Sequence, residues 1–154
     1  MNATRLTTLA ALCLLGTIGL ADDSQDEAKQ RAKKNLERWQ GTFELVLMID
    51  DGKQTTGESL KSRKLTVEGN KYHFQNGDFN EHGSYRFDLA QDPKHLDIVV
   101  GDGADKGKVY LAVFDATDEQ VRICFEKKNA RRPAKMSGGK GSGAVLEVWK
   151  KVAP

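Results

Sequence analysis

The chain has 154 residues, 38% of them hydrophobic and 30% charged, which suits one domain with a packed core and excludes a wholly disordered polymer. Its 24 Lys and Arg against 22 Asp and Glu leave a net charge of +2, too weak a field to drive nucleic-acid binding unless the cations cluster.

Arg5 is the only charged residue before Asp22, and it precedes an apolar stretch, residues 6–20, that runs into Gly19-Leu20-Ala21. A basic start, about 15 apolar residues and a small-x-small site make the pattern of a secretory leader cleaved after Ala21. The apolar stretch falls short of the ~20 residues that a membrane-spanning helix needs. The expectation is a signal peptide at 1–21, a secreted or periplasmic protein beginning at Asp22, and no transmembrane segment after cleavage. Cys13 follows Leu12 rather than a small residue, so lipid attachment is not expected there. Loss of Cys13 would leave Cys124 alone, and stability would have to come from a core rather than from disulfides.

Residues 22–39 are expected to form a helix that caps the following domain. Ser24-Gln25-Asp26-Glu27 fits a capping box, and Ala28, Ala32, Leu36 and Trp39 recur on one stripe while Lys29, Arg31, Lys33 and Lys34 stay in water. From Gly41 the period changes to two. Phe43, Leu45, Leu47 and Ile49 alternate with Thr42, Glu44, Val46 and Met48 up to the turn Asp50-Asp51-Gly52-Lys53. Leu65 and Val67 pair with Tyr72 and Phe74 across Gly69-Asn70, a dipeptide suited to a tight hairpin. Tyr85 and Phe87, then Leu96, Ile98 and Val100, mark two more strands, with Asp92-Pro93-Lys94 between them. Residues 108–115 and 120–126 read as a hairpin, and residues 144–152 as the last strand. About eight short strands without intervening helix make residues 40–154 an all-β domain, an antiparallel up-and-down barrel or a sandwich.

The stretch Leu36-Glu37-Arg38-Trp39-Gln40-Gly41-Thr42-Phe43 resembles the Leu-x-x-Leu-Gln-Gly-Thr-Trp opening of a small lipocalin-like domain found in exported proteins of planctomycete-type bacteria. Further matches in the same order are Leu65-Thr66-Val67-Glu68-Gly69-Asn70-Lys71-Tyr72, Gly83-Ser84-Tyr85, Asp92-Pro93-Lys94, Lys106-Gly107-Lys108, Ile123-Cys124-Phe125, Arg132-Pro133 and Gly141-Ser142-Gly143. The resemblance spans residues 36–151 and implies a roughly eight-stranded lipocalin-like barrel of uncharacterised activity. Lipocalins at large carry Gly-x-Trp at the closed end of the barrel. Here Phe43 stands in the Trp place and Trp39 lies four positions earlier, a departure that touches the carrier role more than the architecture.

Alternation assigns Phe43, Leu45, Tyr72, Phe74, Tyr85, Phe87 and Phe125 to the barrel interior as the candidate ligand-binding residues. The same alternation places Leu47, Ile49, Leu111, Val113, Leu146 and Val148 inside. Such a barrel is filled by its own side chains or holds one small ligand.

Reactive constellations are sparse. His73, His82 and His95 lack zinc-ligand spacing, Asp102-Gly103-Ala104-Asp105 has too few ligands for calcium, and Gly138-Gly139-Lys140-Gly141-Ser142-Gly143 lacks the spacing of a phosphate loop. No metal or cofactor is therefore expected, and no enzymatic activity. Cys124 lies on the face opposite Ile123 and Phe125, as a structural thiol beneath a loop or the helix. Lys127, Lys128, Arg131 and Arg132 begin a run of cations with no acid among residues 127–146, a candidate polyanion surface. It has no interleaved aromatic for base stacking, so nucleic acid is not expected. The sequence thus points to a monomer that binds a small apolar or amphipathic molecule inside the barrel. The alternative is an interaction module that contacts an anionic polymer or a protein through its loops.

Overall fold

The computed structural model describes residues 20–128 and 131–152. The secretory leader expected at 1–21 falls almost wholly outside the described residues. A helix, α1 (Leu20–Arg38), leads into nine strands: β1 (Gly41–Asp50), β2 (Lys53–Thr56), β3 (Arg63–Glu68), β4 (Lys71–Asn76), β5 (Phe79–Asp88), β6 (Lys94–Val100), β7 (Val109–Ala116), β8 (Gln120–Glu126) and β9 (Ala144–Lys151). All neighbours pair antiparallel, and β1 meets β9 to close the sheet. The first half of β1 pairs with β3 and the second half with β2. The short β2 therefore continues the place of β3, and the result is a closed eight-stranded up-and-down barrel with one helix. Closure removes the unpaired edges on which free sheets associate.

The helix differs from expectation at both ends. It begins at Leu20, so Ser24 lies within it rather than at its N-cap, and it stops at Arg38, leaving Trp39 in the turn that follows. Ala28 is exposed, Ala32 half-buried and Leu36 38% exposed. The apolar stripe does not dock. Trp39 does, at 1% exposure, with its indole edge-on to Tyr85, Phe87 and Phe114 at centroid distances of 5.4, 5.6 and 5.0 Å. One end of the barrel is thus sealed by a single indole packed with Phe43, Leu45 and Val121. The first residue beyond the helix, rather than the helix itself, supplies the cap.

Two apolar layers explain which way each strand faces. The interior layer holds Phe43, Leu45, Leu65, Val67, Tyr72, Tyr85, Leu96, Ala112, Phe114, Ile123 and Trp149. A second layer lies outside the barrel, where Val113, Cys124, Ala144 and Leu146 pack with Ile49 and Met136 beneath the β8–β9 connection. That connection comes so close that a Cβ on Gly138 would stand 2.1 Å from the Ile49 carbonyl oxygen.

This second layer corrects six interior assignments. On β7 the inward residues are Ala112 and Phe114, and Val113 packs outside with Leu111 on the same outward phase. On β9 Trp149 points in, which sends Leu146 and Val148 out. In β1 a bulge between Leu45 and Leu47 inserts Val46 as an extra residue. The bulge resets the alternation, so that Met48 packs against the interior and Ile49 against the outer layer, with Leu47 on the outer phase too.

Candidate functional site

The end opposite Trp39 is open. A cavity of about 330 Å³ descends from it between β3, β4, β5, β6, β7, β8 and β9. Its wall is mainly apolar and aromatic: Leu65, Phe74, Ile98, Ile123, Phe125 and Trp149 surround it, with Tyr72 and Tyr85 stacked at 4.7 Å. Its polar groups are few. Glu81, Glu147, Tyr110 and Lys127 reach it along with the two stacked phenols.

Of the seven interior candidates, Tyr72, Phe74, Tyr85 and Phe125 line this cavity. Phe43, Leu45 and Phe87 belong instead to the packed end around Trp39. The barrel is therefore neither hollow throughout nor filled throughout.

The position of Tyr72 depends on a glycine across the ladder. Tyr72 pairs with Gly83, and a Cβ built there would come within 2.4 Å of the Tyr72 ring. With only hydrogen at that position the ring lies over the strand, stacks on Tyr85, and its hydroxyl donates to Glu81 Oε1 at 2.9 Å. Burial, then the Glu81 carboxyl, push the Tyr72 hydroxyl well above its ordinary range, so it stays protonated as a donor. Burial does the same to Tyr85, which is 3% exposed and has no hydrogen-bond partner for its hydroxyl among the described residues.

Glu147 is the second acid. Its Oε2 accepts from the Trp149 indole N–H at 3.1 Å, and burial pushes its carboxyl up to about 7, against the lowering effects of that hydrogen bond and of Arg63. Arg63 does not reach it as an ion pair: its Nη1 lies 3.3 Å from Met48 Sδ. At the rim, Lys127 donates to both oxygens of Asp50 at 2.7 and 2.9 Å, and Tyr110 donates to Asp105 at 2.9 Å.

Glu81, Tyr110 and Glu147 were not anticipated from sequence. Glu81 sits four positions before Tyr85 on the same inward phase, and the strand extends farther back than its apolar pattern. Tyr110 and Glu147 fall on the phase that the doubly apolar β7 and β9 conceal.

The cationic loop is largely engaged with the protein itself. Arg132 donates from Nη1 to the Leu96 carbonyl at 2.9 Å and the Ala112 carbonyl at 2.5 Å, and from Nη2 to Asp97 Oδ1 at 2.6 Å. Arg131 pairs with Glu126 at 2.7 Å, and Lys127 with Asp50. Three of the four expected polyanion contacts therefore already have acidic partners, while Lys128 is exposed. Cys124 is fully buried, its Sγ 3.5 Å from the Ser137 carbonyl, and burial raises its thiol, which fits a structural residue beneath a loop.

On the outer face of β4 and β5, His73 and His82 stack at 4.3 Å. Asp102 accepts from the His82 backbone N–H at 2.9 Å and lies 2.8 Å from its ring Nδ1, which ties the 101–107 loop to β5. No group of three or more His, Cys, Asp or Glu among the described residues is placed to hold a metal ion. No helix among them is long and apolar enough to cross a membrane. No family model, curated protein or solved structure matches the chain.

Proposed function

We propose that the protein binds a small amphipathic molecule in the open half of its barrel, without chemically transforming it. The observation that carries this reading is the division of the interior: one end is packed shut on Trp39, and the other keeps a cavity of about 330 Å³ at the low end of the range that encloses small ligands. A wall of aromatic and aliphatic groups suits a hydrocarbon body, and a few convergent polar groups suit a head. The secretory leader and the resemblance to an exported lipocalin-like domain agree with a carrier or scavenger outside the cytoplasm. The loop-contact alternative is weaker, because Lys127, Arg131 and Arg132 spend their charge on Asp50, Glu126 and Asp97.

The test is saturable binding of a neutral hydrophobic fluorophore, N-phenyl-1-naphthylamine, read as enhanced emission. Ile123 lines the cavity, and Ile123→Trp would fill it. The expected outcome is saturable binding by the native protein and its loss in the variant, with thermal unfolding checked to show that the variant folds. Equal signals from both proteins would place the fluorophore elsewhere and defeat the reading.

A further inference from the structure

The polar groups of the cavity are unevenly charged. Glu81 on β5 and Glu147 on β9 both line it, and each has one donor among the described residues: Tyr72 for Glu81 Oε1 and Trp149 for Glu147 Oε2. A carboxylate offers about four acceptor sites, so both acids keep unused capacity. The one lining cation among the described residues, Lys127, is held between the two oxygens of Asp50. Tyr85 supplies a separate observation: its side chain is almost wholly buried, lines the cavity, and has no partner for its hydroxyl among the described residues. The hydroxyl is open to the cavity and keeps its donor and acceptor capacity for a group that enters it.

We infer that the cavity selects an amphiphile with a cationic amine head, received between Glu147 and Glu81 with Tyr85 and the surrounding aromatic faces, an inference that rests on the ligand-binding reading above. An ammonium group brings three donors and a positive charge, which gives charge-assisted hydrogen bonds to both carboxyls. The faces of Trp149, Tyr72 and Tyr85 add cation–π attraction within a partly desolvated site. A fatty carboxylate would instead meet two acids, a repulsion that discriminates against it. The groups facing Glu147 are Arg63 from β3, Trp149 on its own strand, and Tyr85 from β5, which also lies within the field of Glu81. Because burial raises the Glu147 carboxyl to about 7, amine affinity falls as the pH drops through that value and the acid becomes neutral.

The experiment compares hexylamine, hexanol and hexanoate, three ligands with one chain and different heads, by calorimetry and by tryptophan emission in a Trp39→Phe background that leaves Trp149 as the reporter. The amine is expected to bind at least about tenfold tighter than the alcohol, with the carboxylate weakest. Glu147→Gln, an isosteric change, is expected to close the gap between amine and alcohol. Glu81→Gln is expected to narrow it, and the pH titration of the native protein tests the same point without any substitution. Equal affinity for amine and alcohol, or preference for the carboxylate, overturns the amine assignment and leaves the cavity reading standing. Failure of all three, together with failure of the neutral fluorophore, overturns both.

Discussion

At the scale of single residues, Glu147 places a cost inside the barrel that varies with pH. An unfolded chain ionises this acid at its ordinary 4.5, whereas the folded barrel holds it up to about 7 by burial. Between those values the native state binds the proton that the unfolded state has released, so stability falls as pH rises. The contribution of Glu147 is fully present below about 4.5 and is lost as pH rises through about 7. Glu147→Gln removes the titration while its amide oxygen can still accept from Trp149. The variant is expected to gain on the native protein with rising pH, by of order 1–3 kcal/mol above neutrality. Urea unfolding of both proteins across that window measures the difference directly, and a difference that does not change with pH would show that the acid is solvated.

At the scale of elements, the strands that were legible in the sequence are those with one apolar face. In β4 and β5 the residues Tyr72, Phe74, Tyr85 and Phe87 alternate with polar neighbours, in β8 Ile123 and Phe125 alternate with Arg122, the small Cys124 and Glu126, and the structure turns all six inward. β7 and β9 are apolar on both faces because the β8–β9 connection buries their outer side, and periodicity cannot choose between two apolar faces. The bulge at Val46 was hidden for a related reason, since Leu47 and Met48 are both apolar and either could face the core. The helix posed the opposite problem. Its stripe was visible but contained mostly Ala, too little surface to bind, and only Trp39 beyond its end is buried. Trp39→Ala is accordingly expected to cost about 3–5 kcal/mol, the range for emptying a buried aromatic site. A protein beginning at Arg38, without the preceding helix, is expected to lose less than about 1 kcal/mol, since its main remaining tie, Arg38 to Asp118 at 2.8 Å, is retained. Chemical denaturation of the two variants decides this, and a larger loss from removing the helix than from removing the indole would reverse the roles assigned to them.

At the scale of the whole molecule, the barrel wall separates two apolar layers, and the β8–β9 connection covers the outer one. Arg132 is its main polar anchor. The guanidinium is part-buried, donates to carbonyls of Leu96 and Ala112 on adjacent strands, and pairs with Asp97. Arginine suits such a place because its planar fork remains charged and serves several acceptors at once. Removing it takes a donor from two carbonyls and leaves Asp97 with only the more distant Arg86 at 3.7 Å, and such losses cost more than the bonds were worth in water. Arg132→Ala is therefore expected to destabilise the protein by about 2–3 kcal/mol. Lys128→Ala removes the same unit of charge from the same connection at an exposed position, and is expected to shift stability by less than about 0.5 kcal/mol. Urea midpoints distinguish an anchor from a surface charge. Retention on a heparin resin supplies the other half of the comparison, because a polyanion site would lose affinity with either cation, steeply with salt, while stability stayed level. Equal midpoints for the two variants, with matched losses of retention, would return Arg132 to the role of a surface cation and reopen the loop as a binding face.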